Sequence, residues 1–182
     1  MKTTLRLLSG LLCLQVALSC VDSQNFDQYD DLSITPNMEA SLLYVEATEA
    51  VINQAPGVDF IQETFAFTPF SEPYVADNLL DGVLTFEVEN TTSKPLQIRI
   101  EFLDATGAVL DTETFLVDAA PTALLRREIA YGGLGGRSLD ILRNTVQLRI
   151  SATNLGDASS VSPLPDPKII LRSSAQFRFR LK

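Results

Sequence analysis

Between residues 169 and 182 every second side chain belongs to one of two sets, and that alternation commits the segment to β-structure. Ile169, Leu171, Ser173, Ala175, Phe177, Phe179 and Leu181 share one parity. Ile170, Arg172, Ser174, Gln176, Arg178, Arg180 and Lys182 share the other. Successive side chains of a strand point to opposite faces, so one long strand with a buried and a cationic side is expected.

The same period recurs upstream. Residues 39–48 place Leu43 and Val45 on one face and Leu42 and Tyr44 on the other; residues 60–67, rich in Phe and Thr, are a second strand candidate. Residues 69–80 contain Pro69 and Pro73 and read as a connection with one helical turn near Asn78. In 82–89, Leu84, Phe86 and Val88 point inward. Next, Leu96, Ile98, Ile100 and Phe102 share a face, and Asp104-Ala105-Thr106-Gly107 supplies a hairpin turn into a return strand over 108–117. Residues 124–131 and 146–153 are further strands, the second with Val146, Leu148, Ile150 and Ala152 inward. A short helix over 138–143 is capped by Ser138. Seven or eight short strands with Gly, Pro and Asn breaks predict an all-β, antiparallel two-sheet sandwich over 37–182.

The stretch Phe86-Glu87-Val88-Glu89-Asn90-Thr91-Thr92, followed by Lys94-Pro95-Leu96-Gln97-Ile98, resembles a strand–turn–strand of immunoglobulin-like bacterial envelope domains. That resemblance implies an immunoglobulin-like arrangement of the sandwich. The Cys…Trp…Cys pattern of antibody domains is absent, since the chain has no Trp.

The N-terminal residues speak to destination. Lys2 and Arg6 precede an apolar run over 7–18, then Ser19 and Cys20, the pattern of a secretory signal peptide. Val16-Ala17-Leu18-Ser19-Cys20 resembles the lipobox of bacterial lipoproteins, with Ala17 where that family prefers Leu. The resemblance implies removal of residues 1–19 and a covalent lipid on Cys20. Ala17 and Ser19 also satisfy the small-x-small rule of ordinary signal cleavage, which would give a soluble secreted product. Cys13 lies inside the apolar run, so the processed chain carries Cys20 alone and forms no internal disulfide. Two or three acyl chains hold firmly where one holds marginally, at about 0.8 kcal/mol per buried methylene. Residues 20–36 read as an acidic tether, with Asp22, Asp27, Asp30 and Asp31 among few apolar residues. Acids just after the cysteine resemble a Bacteroidota-type surface-export signal, and only Asp22 falls in that window. The expected location is the outer membrane, on its periplasmic face or at the cell surface.

The chain has 14 basic and 23 acidic residues, and the signal holds two of the former and none of the latter. The processed net charge of −11 argues against nucleic acid as a partner. Residues 21–90 carry 14 acids and no Lys or Arg; residues 91–182 carry 12 bases and nine acids. The two halves either neutralise each other across adjacent strands or present a docking face.

No histidine occurs, which removes His-based catalysis and His metal ligation. With Cys20 lipidated, thiolate chemistry goes as well. Gly132-Gly133-Leu134-Gly135-Gly136-Arg137-Ser138 fails as a phosphate loop, because its glycines are one residue too close and Arg137 replaces Lys. It reads as a flexible link. Asp27, Asp30 and Asp31 lack calcium-loop spacing, and Asp77 and Asp81 read as loop acids. No catalytic residue, metal site or cofactor is expected beyond the Cys20 lipid.

The expected function is therefore non-catalytic: a lipid-anchored scaffold that binds an envelope or outer-membrane protein as an accessory subunit. Arg172, Arg178, Arg180 and Lys182 form the candidate docking strip, unless they pair with the domain's own acids. The alternative is a glycan-binding lipoprotein using Tyr44, Tyr74 and Tyr131, with core packing as the competing use of those rings. A hydrolase with paired carboxylates comes third.

Overall fold

A single hairpin organises the chain. Strands β4 (Leu96–Leu103) and β5 (Val109–Val117) are antiparallel neighbours. In the turn between them, Asp104 Oδ1 accepts from the Thr106 hydroxyl (2.7 Å) and from the N–H groups of Thr106 (2.8 Å) and Ala108 (2.9 Å). Those bonds, the Thr106 hydroxyl foremost, hold the carboxyl below the usual aspartate range. Gly107 takes φ +84°, a left-handed conformation that costs glycine little.

From this hairpin the two arms pair outward in order. β3 (Leu79–Asn90) pairs with β6 (Leu125–Gly132), β2 (Asp59–Ala66) with β7 (Gln147–Asn154), and β1 (Asn37–Thr48) with β8 (Lys168–Phe179), all antiparallel. Rolled up, the nested arms give sheet 1, in the order β1-β8-β3-β6, and sheet 2, β2-β7-β4-β5. This computed structural model describes residues 33–70, 72–121 and 124–181.

The expected antiparallel two-sheet sandwich is thus present, with eight strands among the described residues. Its connectivity is that of a jelly roll, with two interleaved Greek keys. An immunoglobulin-type sandwich instead joins its first two strands side by side in one sheet. Here β1 and β2 lie in different sheets and the first strand pairs with the last.

Short helices punctuate the strands: α1 (Glu49–Ile52), α2 (Pro73–Asp77) and α3 (Leu139–Asn144). Ser138 caps α3, its hydroxyl accepting from the Asp140 N–H at 3.2 Å, as expected. The helical turn expected near Asn78 lies just before it, because Pro73 presets the first helical φ.

The core lies between the sheets and follows the alternation. Leu43, Val45, Leu84, Phe86, Val88, Ile98, Ile100, Phe102, Leu171 and Phe177 are all buried. Each such side chain contributes about 1.5–3 kcal/mol. Gly82 is needed where β3 passes under Phe177, because a Cβ there would lie 2.5 Å from the ring. Three expectations shift at the strand ends. Val146 precedes β7 and is exposed, Leu181 follows β8 and is exposed, and Ile170 is buried on the cationic side.

The glycine segment is a tight turn and not a flexible link. Gly132, Gly133 and Gly135 all have positive φ, and a Cβ on Gly136 would meet the Gly132 carbonyl oxygen at 2.1 Å. Arg137 closes the turn: its carbonyl accepts from the Gly132 N–H (2.8 Å) and its own N–H donates to Ala130 O (2.9 Å).

Residues 34–36, expected to belong to the tether, already touch the sandwich. The Leu181 N–H donates to Ile34 O (2.9 Å) and the Phe179 N–H to Pro36 O (3.1 Å). Cys20, the signal and the tether up to residue 32 lie outside the described residues.

At the opposite end, polar groups are buried in a closed network. Glu49 Oε1 accepts from the Ser93 N–H and hydroxyl (both 2.6 Å), and Oε2 from the Ser162 N–H (2.9 Å). Burial pushes this carboxyl upward, but the Ser93 hydroxyl, the Ser162 and Ser93 N–H groups and nearby Lys94 outweigh it and lower its pKa. Lys94, only 1% exposed, donates to Asp157 Oδ1 at 2.7 Å. The Asn90 amide donates to Lys94 O and to Asp118 O, both at 2.8 Å, and so joins the two connections that flank it.

Candidate functional site

The outer face of sheet 1 carries a shallow trough of about 490 Å³. Strand register builds it. Ser41 on β1 lies opposite Ser174 on β8, Ser174 opposite Thr85 on β3, and Thr85 opposite Glu128 on β6. The next row is Glu39, Gln176, Val83 and Ala130. Small side chains in the middle of these rows form the floor, and longer ones stand around it. Four strands at about 4.8 Å spacing make the trough roughly 14 Å from β1 to β6.

Paired charges form the rim. Arg126 donates to Glu87 Oε1 (3.1 Å) and to Glu128 Oε1 (2.8 Å). Glu128 is the larger cause holding the Arg126 guanidinium above its ordinary pKa. Gln176 Nε2 donates to Glu39 Oε1 at 3.0 Å. Arg178 Nε donates to Asp81 Oδ2 at 3.1 Å, and Arg172 sits 3.6 Å from Glu89. The floor hydroxyls of Ser41, Thr85 and Ser174 make no hydrogen bond to the protein among the described residues.

A β-bulge sets the aromatic beside the trough. The β1–β8 register shifts between Ser41 and Leu43, so Leu42 is the extra residue. Glu39 and Ser41 before it, and Tyr44 and Glu46 after it, therefore all face outward, whereas Leu43 and Val45 enter the core. Tyr44, 55% exposed, stands opposite Arg172, about 7 Å along β8 from Ser174. Its hydroxyl donates to Glu46 Oε2 at 2.6 Å, the main cause of a raised phenol pKa.

The expected docking residues divide. Arg172 and Arg178 lie on this face, ion-paired to Glu89 and Asp81 of the acidic half, so the two halves do meet across neighbouring strands. Asp81 is a strand residue and not a loop acid; Asp77 ends α2. Arg180 follows β8, donating its N–H to Asn78 O at 2.9 Å. Lys182 lies outside the described residues, as do Asp27, Asp30 and Asp31. Surface pairs of this kind are worth about 0–1 kcal/mol and leave the side chains free to exchange partners.

The three tyrosines do not form one platform. Tyr131 is fully buried, its hydroxyl 3.4 Å from Asp111 Oδ2, and burial foremost pushes its pKa well up. Tyr74, on α2, is exposed next to the end of β8, its hydroxyl donating to Leu181 O at 3.2 Å. Tyr44 lies opposite Arg172 of β8 and Tyr74 beside Leu181, just past the end of that strand, roughly 30 Å apart at the rise of an extended chain.

Asp111 and Glu113 on β5 are one pair of neighbouring carboxylates of the kind a hydrolase needs. Arg137 is ion-paired to both, at 2.6 Å from Asp111, and Arg127 approaches Glu113 at 3.3 Å while covering the Phe115 ring at 4.4 Å. Burial acts to lower the Arg137 pKa, but bonds to Glu113 and Asp111 raise it instead. Arg137 thus fills the space between the two acids, where a scissile bond would have to lie. The cluster ties the glycine turn to β5. Among the described residues no group of three or more His, Cys, Asp and Glu could hold a metal ion, and no helix is long and apolar enough to cross a membrane.

No protein-family model and no curated protein matches the chain. Solved structures similar to it include a VP2 subviral particle of infectious bursal disease virus, at 6% identity and TM-score 0.41, covering 80% of this chain and 33% of that one. Turnip yellow mosaic virus matches at 13% identity and TM-score 0.35, covering 83% and 82%. A Bacillus endospore appendage pilus matches at 13% identity and TM-score 0.35, covering 91% and 98%. The chain spans about a third of the VP2 chain. At these scores the likenesses carry no inference about role.

Proposed function

We propose that the protein is a lipid-anchored, non-catalytic binding module of the bacterial cell envelope that holds an envelope component on the outer face of sheet 1. The observation that carries this reading is the trough: a hollow within the usual range of ligand sites, floored by hydroxyls with no protein partner among the described residues and rimmed by adjustable ion pairs. Cys20 supplies the anchor and residues 20–32 the reach from the bilayer. Arg172 and Arg178 then serve as rim residues of the binding face. A protein partner on the arginine strip and a glycan beside Tyr44 both use this face.

Two measurements test the reading. Fatty-acid labelling of the expressing cells is expected to mark the protein and to fail in Cys20→Ser; labelling that persists, or is absent throughout, overturns the anchor. For the face, the unlipidated Cys20→Ser chain is mixed with isolated envelopes of its source. Retention is expected to be lost in Ser174→Arg on sheet 1 and kept in Ser151→Arg on the outer face of sheet 2. The reverse pattern, or no difference, overturns the binding face.

A further inference from the structure

We infer that the trough on sheet 1 takes a neutral oligosaccharide, with Tyr44 as the surface on which one sugar ring packs. The inference rests on the proposed binding face and names its occupant.

The floor and rim chemistry select the ligand class. Ser41, Thr85 and Ser174 each offer a donor and two acceptor lone pairs, and Gln176 and Glu39 flank them with an amide and a carboxylate. A pyranose ring presents hydroxyls that both donate and accept, so it satisfies such a surface without leaving a polar group unpaired. Protein interfaces draw most of their energy from aromatic or arginine anchors seated in well-packed pockets near their centre, whereas the arginines here stand around the rim. The centre of this trough offers Val83 as its one large apolar group, beside Ala40 and Ala175.

Charge narrows the class further. Glu39 and Glu128 line the trough against one cation, Arg126, which is already paired with Glu128 and Glu87. Around it Asp81 is paired with Arg178, Glu89 with Arg172, and Glu87 shares Arg126, so five carboxylates stand against three guanidinium groups on this face. An anionic polysaccharide therefore meets net repulsion, on a chain of net charge −9. Tyr44 adds the apolar contact. Its ring is exposed on the outer face beside the trough, opposite Arg172 and about 7 Å along β8 from Ser174, and its hydroxyl is tied to Glu46 on the side away from the floor. The trough crosses all four strands over roughly 14 Å, which fits a run of about three sugar units and not a single monosaccharide.

The test is titration calorimetry of the full chain, as Cys20→Ser, with cellohexaose, mannohexaose and xylohexaose, and with hexagalacturonate and a lysine-rich peptide as charged competitors. At least one neutral hexasaccharide is expected to bind. Ser174→Arg and Thr85→Lys, which fill the floor from outward-facing positions, are expected to abolish binding with an unchanged thermal midpoint. Tyr44→Ala is expected to raise Kd by about three- to tenfold, the scale of one aromatic contact. Binding only to hexagalacturonate or to the peptide, abolished by Ser174→Arg, overturns the neutral-glycan inference and leaves the binding face standing. Neutral binding that survives Ser174→Arg overturns the inferred site and counts against the face as well. No binding to any of these probes overturns the inference, and envelope retention then decides the face independently.

Discussion

The loop end of the sandwich and the outer face of sheet 1 both concentrate charge, but they treat it in opposite ways. At the loop end, Glu49 and Lys94 are buried and every carboxylate oxygen of Glu49 is met by a donor. On sheet 1, Arg126, Arg172 and Arg178 are solvent-exposed, and the hydroxyls between them bond nothing among the described residues. A saturated, dehydrated network fixes loops and has no valence left for a ligand. An exposed, loosely paired surface contributes little stability and can rearrange around one. Charge content alone would not distinguish the two regions; burial and hydrogen-bond saturation do.

The largest effect that bears on this contrast belongs to Glu49. Glu49→Ala leaves the N–H groups of Ser93 and Ser162 and the Ser93 hydroxyl without their acceptor, and urea unfolding is expected to show a loss of about 3 kcal/mol. A loss below about 1 kcal/mol would mean that the network does not hold the loops.

The acid limb of stability follows from the same group. The folded pKa of Glu49 is lowered, so its contribution is fully present above the unfolded value of about 4.3 and is lost as pH falls through the folded value. Asp157 acts in the same direction, its carboxyl lowered chiefly by Lys94 and then by Ser160. Unfolding followed from neutral pH into acid is expected to show the Glu49→Gln penalty shrinking below about pH 4. A constant penalty would assign the acid sensitivity elsewhere.

The two sides of β8 give a smaller effect of opposite sign. Ser173 faces the core between Leu43 and Phe86 in register, and its buried hydroxyl has no partner among the described residues. Ser173→Ala is expected to stabilise by about 1 kcal/mol in urea unfolding. One residue along, Arg172→Ala changes an exposed pair, as does Arg178→Ala, and each is expected to move stability by no more than about 0.5 kcal/mol. A penalty of several kcal/mol from either arginine would place the strip with the structural network instead of the binding face.

Strand positions are legible in the sequence where one face is buried along the whole strand. From Gly82 to Asn90 in β3, Leu96 to Phe102 in β4 and Leu171 to Phe179 in β8 every second residue is buried, so there the alternation in the sequence is the burial pattern itself. Strand order is not legible, because β1 pairs with β8 across more than a hundred residues and no local signal reports that distance. The short motif shared with immunoglobulin-like domains describes β3 and β4, which here lie in different sheets. Lys94 carries no signal of its burial, since a lysine beside a turn is ordinarily exposed and only the folded loops enclose it.

The trough is hidden in the sequence for a related reason. Ser41, Thr85, Glu128 and Ser174 are ordinary polar residues on four separate strands, and only register aligns them. The arginine strip shows in the spacing, but its partners Asp81 and Glu89 come from β3, far upstream. Of the aromatic candidates, Tyr44 is exposed at the trough because Leu42 bulges, and Tyr131 is buried because its parity on β6 faces the core.

If one face of the sandwich binds and the other does not, side-chain footprinting reads both faces at once. Tyr44 on sheet 1 and Leu116 on sheet 2 are 55% and 68% exposed, so hydroxyl radicals reach both in the free protein. With native envelopes present, oxidation of Tyr44 is expected to fall while Leu116 stays unchanged. Protection of Leu116 with Tyr44 still reactive would put the binding face on sheet 2 and refute the proposal.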